Sequence, residues 1–123
     1  MCLFTKQQEA KIANENIIVY KLLHCNNGVL RPPIFSSYIY KLRKLNSTNI
    51  ELSPVLDLGY NVYQAFHAFT TIHNALTSSI VRNNVLLYKC VIPKGSEYYI
   101  SVCGSEIASN KIIIKRKVWF NLF

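Results

Sequence analysis

Apolar residues arrive along this chain in short, β-branched runs separated by polar and turn-forming stretches. That spacing predicts strands far more often than helices. Ile17-Ile18-Val19-Tyr20-Lys21-Leu22-Leu23 is one such run, bounded by Asn16 and by Asn26-Asn27-Gly28. It reads as a buried strand followed by an Asn-Gly turn. Val62–Phe69 reads as a second strand, and Val85–Ile92 as the strongest of all, ending at the turn Pro93-Lys94-Gly95. Beyond that turn Tyr98, Ile100 and Val102 alternate with Glu97, Tyr99 and Ser101, the period of a half-buried strand. Cys103-Gly104-Ser105 turns the chain again, and Lys111–Phe120 is a long final strand.

Only one segment carries the helical period. Thr70-Thr71 offers an N-cap, and Ile72, Ala75, Leu76, Ser79 and Ile80 recur at helical spacing as far as Asn83-Asn84. A helix is therefore expected over about 70–83. Residues 1–16 are polar and read as loop or short helix. Arg31-Pro32-Pro33 interrupts regular structure. Residues 34–52 read as short strands around Tyr38, Tyr40, Leu42 and Leu45, and residues 54–60, with Pro54, Asp57 and Gly59, as a loop. A helix between strands, with hairpins after it, predicts an α+β domain: one twisted, mostly antiparallel sheet and one main helix. A length of 123 residues makes it a single domain, 1–123.

Half the residues are hydrophobic, which excludes a disordered chain. No apolar run approaches the roughly 20 residues of a membrane helix, so no membrane is expected. The first residues, Met-Cys-Leu-Phe-Thr-Lys-Gln-Gln-Glu, lack the form of a secretion signal. The expectation is a cytoplasmic chain in which Cys2, Cys25, Cys90 and Cys103 stay reduced. They form no Cys-x-x-Cys pair and no standard metal spacing, so neither metal nor cofactor is expected. The sequon Asn46-Ser47-Thr48 has no meaning without secretion.

Charge changes the picture most. Fourteen basic against six acidic residues give +8. Residues 61–123 carry seven basic and only two acidic groups. Such a balance favours an anionic partner: a nucleotide, a nucleic acid or an acidic protein. Charge spread for solubility alone is the plainer alternative.

Two constellations carry that chemistry. By period two Lys111, Ile113, Lys115, Lys117 and Trp119 share one face of the last strand. Three lysines and a Trp there suit phosphates and a stacked base, or else protect a sheet edge from unwanted pairing. The second is Ala65-Phe66-His67-Ala68-Phe69-Thr70-Thr71. There His67 precedes a helix start whose N–H groups attract anions, with the Thr70 and Thr71 hydroxyls beside it. His67 as a satisfied core residue and the threonines as simple caps are the plain readings. Nothing else has catalytic form: no Gly-rich phosphate loop, no Gly-x-Ser-x-Gly elbow, no diagnostic pair of acids. No catalytic residue is assigned.

The start Met-Cys-Leu-Phe-Thr-Lys-Gln, the middle Phe66-His67-Ala68-Phe69, the run Ile92-Pro93-Lys94-Gly95 with Tyr98-Tyr99, and Ala108-Ser109-Asn110-Lys111-Ile112-Ile113-Ile114 resemble small proteins common in phages of gut bacteria. The likeness covers almost the whole chain. It departs at Ala65, where that family often has Gly, and at Asn110, where it often has Asp. The order of elements also resembles the ADP-ribosyltransferase fold. Tyr20-Lys21 stands at that family's Tyr-Arg pair, Phe69-Thr70-Thr71 at its Ser-Thr-Ser motif, and Val85–Ile92 with Pro93-Lys94-Gly95 at its strand and turn. Where that family places its catalytic Glu this chain has Asn110 and Lys111, and Lys21 replaces a bidentate Arg. The resemblance implies a nucleotide-shaped cleft lined by Tyr20, Lys21, His67, Thr70, Thr71 and Lys111, with transfer chemistry lost. The leading expectation is non-catalytic capture of a nucleotide or ADP-ribose-like signal, in a phage setting of host-defence evasion. A protein- or nucleic-acid-binding module, including a virion component, is the alternative. A third reading is an active transferase using Glu106 or Glu97. An exposed sheet edge leaves self-association open.

Overall fold

The structure, a computed structural model, describes residues 3–26, 29–32, 38–78 and 85–118. Its strands are β1 (Leu3–Thr5), β2 (Lys11–Ile12), β3 (Ile17–Asn26), β4 (Val29–Arg31), β5 (Leu45–Ser47), β6 (Glu51–Val55), β7 (Gly59–Gln64), β8 (Phe66–Phe69), β9 (Val85–Ile92), β10 (Glu97–Ile100), β11 (Glu106–Ser109) and β12 (Lys111–Lys117). Among the described residues one helix, α1, covers Ile72–Leu76. The class is sheet-rich α+β, and every ladder is antiparallel.

The described residues form two sheets instead of one. The larger runs β2-β10-β11-β8-β3-β9-β12-β5, with β4 hairpinned onto β3; the smaller runs β1-β7-β6. The spine is β3 against β9, in register from Ile17↔Ile92 to His24↔Val85. Their apolar, β-branched runs suit strands. Only Asn110 separates β11 from β12. The path β11-β8-β3-β9-β12 therefore begins and ends on one run of chain, so the sheet rolls around its contents. Inside the roll lie Val19, Leu23, Phe66, Cys90, Ile92, Ile107, Ile112 and Ile114 with Tyr40 and Tyr88.

The outer face of the rolled sheet is covered in two places. Over β10 and β11 the small sheet packs, burying Leu3, Val62, Tyr99 and Ala108 together. Gly59 makes the β1–β7 contact possible: at φ +152, a Cβ there would meet the Thr5 carbonyl oxygen at 2.6 Å. Over β8 and the neighbouring ends of β3 and β9, α1 buries Ala75 against Leu22, Phe69 and Leu87. Among the described residues no element covers the remaining outer face, on β3, β9 and β12.

Several expectations are corrected here. The helix is five residues over Ile72–Leu76, not the whole of 70–83; Ser79 to Asn84 lie outside the described residues. Residues 54–60 belong to a β6–β7 hairpin, not a loop. Val62–Phe69 divides at Ala65 between two sheets, and residues 1–16 contribute β1 and β2. Strand β10 is not half-buried: Tyr98 and Ile100 pack on the inner core while Tyr99 packs under the small sheet. Trp119 and Phe120 lie outside the described residues.

Candidate functional site

The six residues expected to line one cleft go to different places. Successive residues of a strand face opposite sides, so Tyr20 and Lys21 are separated by the sheet itself. Tyr20 faces outward and packs on the Leu22–Phe69–Leu87 cluster. Lys21 is buried at 7% exposure. Its ammonium donates to the His67 carbonyl oxygen and sits 5.1 Å from the centre of the Tyr40 ring. His67 lies opposite Ala108 on β11, and both of its ring nitrogens are buried without a hydrogen-bond partner. Burial, then the nearby Lys21 ammonium, lowers its pKa to about 3, so the ring is neutral and apolar in effect. Thr70 spends its hydroxyl on the Gly104 carbonyl (2.9 Å) and accepts from the Asn74 side-chain amide. Thr71 caps α1, accepting from the Asn74 backbone N–H at 3.0 Å. Lys111 is on β12, opposite Ser47.

The lysine face of the last strand is rearranged by a β-bulge. The β12–β9 register runs Ile113↔Val91, Ile114↔Cys90, then Arg116↔Lys89 and Lys117↔Tyr88. The extra residue inverts the alternation beyond Ile114. Arg116, which unbroken alternation would set on the face of Ile112 and Ile114, comes to the outer face opposite Lys89, while Lys117 turns to the side of Tyr88. Residues 111–114 are also no sheet edge: β5, then Leu42 and Arg43, run along their far side. Edge protection therefore does not account for Lys111, whereas Lys115, Arg116 and Lys117 follow the stretch that β5, Leu42 and Arg43 flank.

Arg43 comes to the same place by a different route. Its backbone N–H donates to the Ile114 carbonyl at 2.8 Å. It is one of only two non-glycine residues at positive φ among those described, at φ 61, a conformation costing on the order of 1 kcal/mol or more. The buried side chain of Asn46 sustains that turn. Its Oδ1 accepts from the Lys41 N–H (2.9 Å) and the Tyr38 hydroxyl (3.0 Å). Its Nδ2 donates to the carbonyls of Lys41 and Lys44 at 3.1 Å and of Ile112 at 3.3 Å. The sequon asparagine is thus the knot that ties residues 38–46 to β12.

The product is an open groove of about 450 Å³ on that outer face, lined by Ile18, Arg43, Lys89, Val91, Lys115 and Arg116. Four cations surround an aliphatic floor, and no acid lines it. No acid occurs anywhere in β3, β5, β9 or β12. The six acids are Glu9 before β2, Glu15 between β2 and β3, Glu51 on β6, Asp57 in the β6–β7 turn, Glu97 on β10 and Glu106 on β11. One residue of the expected cleft, Tyr20, borders the groove as the cross-strand partner of Lys89.

Chemically the groove can hold anions; no hydroxyl, thiol, imidazole or carboxylate side chain is among its lining residues. Glu106 is on β11, across β8 and β3 from β9, with its pKa raised by burial. Asn110 spends its side-chain oxygen on the Glu97 N–H, 3.0 Å away. Among the described residues no three His, Cys, Asp or Glu side chains converge as a metal site, and no helix is long and apolar enough to cross a membrane. Comparison with family models, curated proteins and solved structures finds no match.

Proposed function

We propose that this chain is a non-catalytic module that holds a phosphate-bearing partner in the groove of β3, β9 and β12. The observation that carries the proposal is the convergence of Arg43, Lys89, Lys115 and Arg116 on one spot, from three separate segments, with no counter-charge. Solubility needs cations dispersed among acids. Here a bulge and a strained turn gather them instead. The resemblance to phage proteins supplies a setting for such a module: sequestering a nucleotide or ADP-ribose-like signal of the host. The ADP-ribosyltransferase likeness contributes only the expectation of a nucleotide-sized cleft, because Glu97 and Glu106 lie away from the cations.

A second reading has its own support. Ile18, Val91, Ile113 and Leu45 are register partners on one face of four adjacent strands, and Ile18 and Leu45 are about half exposed. An acidic peptide with apolar side chains would suit that row.

Titration calorimetry with tripolyphosphate, at low and at physiological salt, tests the first reading. Each charge-assisted contact is worth about 1.5–3 kcal/mol, so Arg116→Glu should weaken binding about tenfold or more. Equal affinity in wild type and Arg116→Glu would refute it. An acidic, apolar peptide bound in place of every phosphate ligand would select the second reading.

A further inference from the structure

Resting on the reading of the groove as an anion site, we infer the class of its occupant: a compact ligand whose two or three joined phosphates are carried on a body with an apolar face, the chemistry of a nucleoside di- or triphosphate. Three features of the groove select it.

The first is the crowding of the cations. Lys89 and Arg116 are direct register partners, Lys115 is the residue beside Arg116 at the bulge, and Arg43 hydrogen-bonds through its backbone to Ile114. A single phosphate brings about 1.5–2 negative charges and leaves half of these cations unmatched. A short phosphate chain engages all four, with the planar forks of Arg43 and Arg116 suited to bidentate contact.

The second is that the cations form a knot and not a track. A nucleic-acid strand is gripped by cations repeated along a groove, with aromatic rings under its bases. Here the next outward-facing row, about 7 Å along the strands, is aliphatic: Ile18, Val91 and Ile113. In the other direction α1 and its contacts with Leu22 and Leu87 close the face. The groove's volume of about 450 Å³ is within the roughly 300–1,000 Å³ usual for small-ligand sites and suits one nucleotide.

The third is the floor itself. Ile18 and Val91 lie beside the cation cluster, where a ribose and base attached to the phosphates come to rest. Apolar contact there distinguishes a nucleotide from a bare polyphosphate.

The test is a set of calorimetric titrations of the full chain in metal-free buffer at physiological ionic strength, using AMP, ADP, ATP, inorganic tripolyphosphate and a short oligothymidylate. Affinity should rise about tenfold or more from AMP to ATP, with tripolyphosphate weaker than ATP. Ile18→Ser, at a half-exposed position, should bring ATP down to the tripolyphosphate level. Lys115→Ala with Arg116→Ala should flatten the difference between AMP and ATP. Equal binding of AMP and ATP, tripolyphosphate as tight as ATP, or oligothymidylate tighter than ATP would each overturn the class while leaving the anion site in place. No binding of any phosphate ligand at millimolar concentration would remove the site and the class together.

Discussion

Acid should unfold this domain through His67. Both ring nitrogens are buried without a partner, and burial, with Lys21 second, lowers the pKa from 6.5 to about 3. The folded chain therefore refuses a proton that the unfolded chain accepts. Stability is intact above pH 6.5, falls as pH drops from 6.5 towards 3, and levels off below. Each unit in that window costs about 1.4 kcal/mol. At pH 4.5, two units below the unfolded value, the loss is about 3 kcal/mol, a large share of the 5–15 kcal/mol typical of a small domain. Glu106 works the other way: burial raises its pKa, so protonation of the folded form offsets part of the loss on acidification. Comparing wild type with His67→Gln and His67→Leu cancels that and every other titration. Urea midpoints read by circular dichroism at pH 7.5 and pH 4.5 are sufficient. Wild type should lose about 3 kcal/mol more than either variant. An equal loss in all three proteins would show that His67 takes up its proton while folded, and would refute the reasoning.

Three further outcomes follow from packing and hydrogen bonding. Asn46→Ala removes the knot that holds residues 38–46 on β12; leaving its buried partners unmatched should cost about 1–3 kcal/mol, measured as a fall in the urea midpoint, and should weaken tripolyphosphate binding through Arg43 although Asn46 does not line the groove. Ile112→Ala, at a position with no exposure, should cost about 2–5 kcal/mol by the same measurement while leaving outer-face chemistry intact in the folded fraction. Cys103 is exposed, and the Ser105 hydroxyl at 2.9 Å, with Ser101, lowers its pKa to about 7, whereas burial pushes the Cys90 thiol up to about 12. Mass-spectrometric mapping of iodoacetamide adducts should show Cys103 modified with a midpoint near pH 7, moved upward by Ser105→Ala, and Cys90 modified only on unfolding.

How far the sequence discloses this molecule depends on which physical signal each residue carries. The β-branched runs at 17–23 and 85–92 announce β3 and β9, and they are the spine of the sheet. Thr71 announces its cap. Pro54, Asp57 and Gly59 look like loop residues, yet Pro54 is tolerated because β6 is the edge of the small sheet, and the other two serve the hairpin turn and the close approach of β1. Grouping Tyr20 with Lys21 ignores strand alternation, which sends neighbours to opposite faces; that error was avoidable from the sequence alone. Lys89 is equally legible, since it is the lone charge in an otherwise apolar strand. The bulge after Ile114 was not legible, since Lys-Ile-Ile-Ile-Lys-Arg-Lys alternates no better in one register than in the other. Arg43 was not legible either, because what places it is the contact of Asn46 with Ile112, distant in sequence.

The groove also explains itself as the uncovered remainder of a rolled sheet. An outer face this apolar must be covered or made soluble. The small sheet covers β10 and β11, α1 covers the Phe69 end of β8 and β3, and the described residues supply no third element for Ile18, Val91 and Ile113. Cations around such a strip keep it in water, and a solubility device would stop there. It would not need Arg43 in a left-handed conformation, nor a buried asparagine making five hydrogen bonds to keep it so. Exposed lysines on flexible stems solubilise equally well from any register. Strain and preorganisation gain nothing for solubility, but they reduce the ordering cost of gripping a ligand. That asymmetry between what solubility requires and what the Arg43–Asn46 arrangement supplies is the physical reason to read the groove as a binding site.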